Sequence, residues 1–162
     1  MPKPIGKIMT THCFVDANHA SEKITRRSQT GILIFCNLAP ILWFSKRQNT
    51  VESSTFGSEF TALKNLVELV TELRYKLRMF GVPIDGPTDM FCDNKAVYKN
   101  SSTPELVLRK NHHSVAYHKC YEAVASGICC IAKESSYTNL AIIFAKVLPG
   151  PRQERLLDMF TY

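Results

Sequence analysis

The chain reads as a mixed α/β domain, a five-stranded sheet flanked by helices with its first three strands antiparallel. Three observations predict this. Three short apolar runs follow one another closely near the N-terminus. A long amphipathic stretch comes next. After it, short apolar runs alternate with helical patterns, and such alternation implies a sheet covered by helices.

The elements follow in order. Residues 11–18 form the first strand, and a charged polar turn runs from Asn18 to Ser28. Gly31-Ile-Leu-Ile-Phe-Cys36 is the second strand, Asn37-Leu-Ala-Pro40 a tight connection, and Ile41-Leu-Trp-Phe-Ser45 the third. Connections this short favour an antiparallel meander. From Ser54 to Phe80, the residues Phe60, Leu63, Leu66, Val67, Val70, Leu73 and Leu77 recur at steps of three and four, giving one apolar helix face. Ser53, Ser54 and Thr55 offer capping oxygens, and Gly81 with Pro83 ends the helix. The basic stretch Arg74-Tyr-Lys-Leu-Arg78 reads as the exposed side of this helix, and Met79 and Met90 as core. Thr88–Cys92 is a fourth strand and Asn94–Asn100 a short helix. A loop with the cluster Arg109-Lys110-Asn-His-His113 leads into a helix over 111–126, whose stripe is His113, Tyr117, Cys120, Tyr121 and Val124. Ile128–Ala132 is a fifth strand. A helix spans 138–146, Pro149-Gly-Pro151 breaks it, and a short terminal helix covers 152–160.

At 162 residues the chain suits one domain with a real core. Lys and Arg number 20 against 14 Asp and Glu, a formal charge of +6 that favours a polyanionic partner. The six cysteines sit mostly in apolar runs without Cys-x-x-Cys spacing, which reads as reduced core thiols rather than a disulfide framework. The first residues, Met1-Pro-Lys-Pro-Ile-Gly-Lys7, lack the apolar core of a signal peptide, and no apolar run is long and uncharged enough to span a bilayer. An intracellular protein is expected, in a cytoplasmic particle or the nucleus, with no membrane partner.

Three carboxylates carry the chemistry. Asp16 interrupts the apolar run His12-Cys-Phe-Val-Asp16-Ala. Glu59 lies in the first turns of the long helix, next to Phe60 and so at the edge of its buried face. Asp93 ends the fourth strand. Carboxylates in such places are costly unless paired or bound to a cation. Ligands of mixed sheets collect at the carboxyl ends of parallel strands, where Asp93 stands, and Asp16 joins it if the first and fourth strands are neighbours. His112, His113, His118 and Cys120 match no zinc-finger spacing and are better read as a helix face.

At this point a family resemblance is visible. Asp16-Ala-Asn-His-Ala20, Arg26-Arg-Ser-Gln-Thr-Gly31, Ile41-Leu-Trp-Phe-Ser-Lys-Arg-Gln48, Ser53-Ser-Thr55 with Glu59, Phe91-Cys-Asp-Asn94, and Asn139-Leu-Ala141 through Lys146-Val-Leu-Pro149 occur in a specific order. Over residues 10–158 the chain resembles the ribonuclease H domain of copia-type LTR-retrotransposon Pol polyproteins. The resemblance implies a ribonuclease H fold and hydrolysis of the RNA strand of RNA–DNA hybrids, beside a reverse-transcriptase domain of the parent polyprotein. It divides the chain into a remnant of an upstream connection (1–10), the domain (11–158) and a tail (159–162).

The resemblance also implies a site of two Mg2+ or Mn2+ ions and no small-molecule cofactor. In the family pattern Asp16 would bridge both ions, and Glu59 and Asp93 would complete the site of one. The family's fourth acidic residue falls where this chain has Ile142. One ion is then weakly held, and impaired turnover is expected. The alternative is a catalytically defective relic that at most binds nucleic acid. Asn18, Ser54, Thr55 and Asn94 flank the carboxylates as candidate contacts to sugar or phosphate. Arg26, Arg27, Lys46, Arg47, Arg109 and Lys110 are candidate phosphate contacts, and each is equally well read as a solvated surface residue.

Overall fold

The computed structural model describes residues 6–102 and 114–161. Strands β1 (Thr11–Asn18), β2 (Gln29–Cys36) and β3 (Ala39–Arg47) are followed by α1 (Thr55–Met79), β4 (Thr88–Cys92), α2 (Lys95–Ser102), α3 (Ser114–Ala125), β5 (Cys129–Lys133), α4 (Ile142–Ala145) and α5 (Gly150–Thr161). The five strands form one sheet in the order β3-β2-β1-β4-β5. The pairs β1–β2 and β2–β3 are antiparallel, and the pairs β1–β4 and β4–β5 are parallel. The expected fold class is the observed one, and β1 and β4 are neighbours.

The connection of β2 to β3 is tighter than the sequence suggested. Asn37 takes the left-handed conformation (φ 53°), and its side chain accepts from the Thr10 backbone N–H at 2.9 Å. Pro40 therefore lies within β3, which tolerates it as an edge strand beside a register shift at Ile34/Phe35.

Two apolar clusters cover the two faces of the sheet. On one, Cys13, Val15, Ile32, Ile34 and Met90 pack under α1 through Phe60, Leu63, Leu66, Val67 and Val70, with Tyr117, Cys120 and Ala123 of α3 alongside. On the other, Leu33 and Phe35 meet Leu140, Ile142 and Leu156. Five cysteines are buried and Cys130 is exposed; all six are free.

Several local expectations change. Arg74 is buried, not on the exposed side of α1: it follows Val67 and Val70 on the apolar stripe, and its guanidinium donates to Thr88 Oγ1 at 3.1 Å and to the Gly86 carbonyl at 2.8 Å. Met79 is exposed because the buried stripe of α1 ends at Arg74, whereas Met90 is fully buried. The predicted 138–146 helix shrinks to α4. Its first hydrogen bonds, Ile142 N to Asn139 O and Ile143 N to Leu140 O, span three residues rather than four, so the preceding segment is a tight turn. Pro149 leaves the helix while Gly150 and Pro151 begin α5, where proline suits the first turn. The predicted cluster from Arg109 to His113 lies outside the described residues.

Candidate active site

The ends of four strands and the start of α1 meet at one edge of the sheet. The parallel register sets Val15 beside Cys92, so the next residues in each strand direction, Asp16 and Asp93, emerge together. The antiparallel register sets Asp16 opposite Gly31 and Asn18 opposite Gln29, itself opposite Arg47. Helix α1 begins at the same edge, capped by Ser54, whose Oγ accepts from the Gly57 N–H at 3.1 Å. Glu59 follows one turn in and is buried.

Buried Gln48 fixes where that turn sits. Its Nε2 donates to Thr30 Oγ1 at 2.9 Å and to the Ser58 carbonyl at 2.8 Å, tying the residue before Glu59 to β2. Asn139 does the same for α4. Its Nδ2 donates to the Val15 carbonyl at 2.9 Å and its Oδ1 accepts from the Ala141 N–H at 3.1 Å, anchoring the helix beside Asp16. Gly31 allows the close approach: a Cβ there would lie 2.4 Å from the Ala141 carbonyl oxygen and 2.8 Å from the Ala145 nitrogen. All three residues lie within the motifs named above, where the sequence alone shows no role for them. Polar residues inside apolar runs, and a glycine mid-strand, are the signals that point to such anchors.

Asp16, Glu59 and Asp93 come together, each offering an oxygen within 4.8 Å of the others. Asp16 is fully buried; its Oδ1 accepts from Lys146 Nζ at 2.8 Å, and its Oδ2 has no hydrogen-bond partner. Asp93 Oδ2 accepts from Ser136 Oγ at 2.9 Å, and the Ser136 carbonyl is in turn held by Arg152 of α5 at 2.7 Å. Burial raises the Asp16 carboxyl to about 6 against the pull of Lys146. Burial, then the charges of Asp16 and Asp93, raise Glu59 to about 9. Desolvation works against the Lys146 ammonium, but the hydrogen bond to Asp16 and the three carboxylate charges prevail and raise its pKa. Lys146 was not among the site residues expected from the sequence, although it lies in the same motif, four residues beyond Ile142.

The donor set suits a hard divalent cation. It is all oxygen, it carries more negative charge than Lys146 offsets, and it includes a buried orphan oxygen at Asp16. Ile142 is not among these groups: its side chain is buried in the apolar cluster with Leu33, Phe35, Leu140 and Leu156.

The candidate contact residues that the structure describes fall in several places. Asn18 and Lys146 line an open groove with Ser21, Gln29, Ser45 and Phe144. Ser54 and Thr55 stand at the start of α1. The Asn94 carboxamide oxygen is committed to capping α2, accepting from the Ala96 N–H at 2.9 Å. Arg26, exposed and left-handed at φ 56°, and Arg27 lie in the β1–β2 connection. Lys46 and Arg47 border a separate cleft of about 440 Å³ between β3 and α1, and Arg47 pairs with Glu22 at 3.0 Å. Arg109 and Lys110 lie outside the described residues.

The fold matches solved structures. The N-terminal ribonuclease H domain of a Mycobacterium tuberculosis protein, solved as a fusion with maltose-binding protein, superposes with a TM-score of 0.62 at 11% identity, over 93% of this chain and 97% of that one. The fold is that of ribonuclease H. LC11-RNase H1, solved in complex with an RNA/DNA hybrid, shares the ribonuclease H fold with a TM-score of 0.58 at 12% identity, over 80% of this chain and 88% of its own. In sequence, the homologues of this ribonuclease H-fold chain are retrovirus-related Pol polyproteins of Arabidopsis and tobacco transposons. That of transposon RE1 from Arabidopsis thaliana is 26% identical over 143 residues, 88% of this chain and 10% of the polyprotein. The chain thus spans about a tenth of the length of the curated relatives it matches. No family model matches the chain.

Proposed function

We propose that this chain is a ribonuclease H-type endonuclease domain of retrotransposon origin, hydrolysing the RNA strand of RNA–DNA hybrids with Mg2+ or Mn2+. The observation that carries the reading is the convergence of Asp16, Glu59 and Asp93 from three separate elements at the carboxyl ends of the parallel strands. These three residues would hold the ion; a second would be weakly held, since Ile142 offers no oxygen. A bound divalent ion supplies a nucleophilic water near neutral pH and countercharge for the leaving oxygen.

The chain's own groups prepare this chemistry. Asp16 presents its unpartnered Oδ2 from a position fixed by β1 and β2. Ser136 orients Asp93. Glu59, raised to about 9, releases a proton when its carboxylate is recruited, so ion binding strengthens with rising pH. Asn18, Ser54, Thr55 and Asn94 would contact the sugar or phosphate of a strand crossing the carboxylates. Arg26, Arg27, Lys46, Arg47, Arg109 and Lys110 would meet phosphates. The partners are the hybrid and the reverse-transcriptase domain of the parent polyprotein.

The test is a labelled RNA–DNA hybrid incubated with Mg2+ or Mn2+. Metal-dependent cleavage of the RNA strand, abolished in Asp16→Asn, is the expected result. RNA cleavage that persists in Asp16→Asn or in excess chelator would overturn the proposal.

A second reading, a relic that binds hybrid without cutting it, is favoured by one observation: at the position of the family's fourth carboxylate, Ile142 is packed in an apolar cluster. Salt-sensitive hybrid binding with no metal-dependent cleavage would select it.

A further inference from the structure

Lys146 stands on Asp16 in a way the metal-binding carboxylates alone do not explain. The two oxygens of this fully buried carboxylate have different surroundings. Oδ1 accepts from Lys146 Nζ at 2.8 Å, while Oδ2 is buried without a hydrogen-bond partner. Lys146 follows the last residue of α4 in extended conformation, and the helix is seated against β1 and β2 by Asn139 and Gly31. The ammonium is thus delivered by a packed element, with about a third of its side chain exposed. The same helix begins at Ile142, whose side chain is buried in the apolar cluster. One helical turn therefore brings an aliphatic group to the core and a fixed cation to the carboxylates.

Charge balance gives this arrangement a meaning. The three carboxylates, when ionised, carry three negative charges. Lys146 returns one positive charge, and a single divalent ion neutralises the remainder. A second divalent ion on Asp16 would have to displace the ammonium or sit beside it, and either costs Coulomb energy in a poorly solvated site.

We infer that Lys146 occupies the position of a second cation on Asp16, so that the site works with one divalent ion at Oδ2 and one ammonium at Oδ1. This rests on the metal-dependent reading above and assigns the reason the second ion is weakly held. Lys146 is a positioning residue, holding Asp16 by Oδ1 and leaving Oδ2 without a hydrogen-bond partner.

The experiment counts bound ions rather than turnover. Mn2+ is titrated into the protein and free Mn2+ is followed by electron paramagnetic resonance, for the wild type, Lys146→Arg, Lys146→Met and Lys146→Gln. Thermal melts establish that each variant is folded, and whichever of the two neutral variants folds serves the comparison. The wild type and Lys146→Arg should bind one ion per chain. The neutral variant should bind Mn2+ roughly tenfold more tightly or take up a second ion, because a competing positive charge is gone. A wild type that binds two ions overturns the inference, as does a neutral variant matching the wild type in both count and affinity; the metal-dependent reading survives either result. A wild type that binds no Mn2+ overturns both.

Discussion

Burial disfavours the charge of Glu59 more than that of Asp16. The Glu59 carboxyl is raised from an ordinary 4.5 to about 9, first by burial and then by Asp16 and Asp93. A raised folded-state pKa means that the native state holds a proton the unfolded chain has released. The corresponding stability is complete below about 4.5 and is lost as pH climbs through about 9. Asp16, raised to about 6, acts in the same direction over a narrower window. In chelator, the melting temperature should therefore fall between pH 5 and pH 9. Glu59→Gln should flatten that decline and melt higher than wild type at pH 9, at roughly 2–4 °C per kcal/mol recovered for a domain of this size. A variant melting below the wild type at pH 9 would sink the argument. The three carboxylates were legible because charged residues in apolar runs are conspicuous. Lys146 was not, since a lysine near a helix end is unremarkable until the helix is seen to lie on Asp16. Arg74 was misread although its spacing from Val70 put it on the buried stripe, because charge outweighed periodicity in the reading.

At the scale of elements, α4 decides the site's integrity. It is only four residues long, so local hydrogen bonding gives it little stability of its own, and it persists through contacts with the sheet. Gly31 is the floor of that contact. A Cβ at 2.4 Å from the Ala141 carbonyl oxygen meets backbone rather than a flexible side chain, so α4 must shift. Gly31→Ala should destabilise the domain by about 1–3 kcal/mol, as overpacked positions do, and should weaken Mn2+ binding more than an exposed control such as Ser21→Ala. Unfolding curves and the Mn2+ titration read both effects, and an unchanged Mn2+ affinity would show that α4 does not position the site. The long helix and the meander were readable from periodicity and tight connections. The length of α4 was not, because Asn139 spends its side chain on Val15 and Ala141, and that tertiary bond imposes a tight turn where the sequence pattern suggested continuous helix.

Across the whole molecule, a formal charge of +6, with Arg26 and Arg27 in the β1–β2 connection and Lys46 and Arg47 at the end of β3, predicts electrostatic binding of hybrid. The logarithm of affinity should fall linearly with the logarithm of salt concentration, by about 0.9 per phosphate neutralised if the hybrid behaves like duplex DNA. Arg26→Ala or Lys46→Ala should each lower that slope by about one. Arg47→Ala should change it less, since its guanidinium already pairs with Glu22 at 3.0 Å. Fluorescence anisotropy across a salt series measures this, and a flat response would remove these residues from the interface. The meander of β1, β2 and β3 pairs locally, but β1 must wait for β4, more than seventy residues downstream, before Asp16 meets Asp93. The contact from Lys146 comes later still, 130 residues after Asp16. A growing polypeptide therefore carries Asp16 in an open three-stranded sheet long before its companions exist, and pairing across such distances is slow. The three carboxylates can meet only once translation has passed β4, so the nascent meander alone lacks the ligand set for an ion.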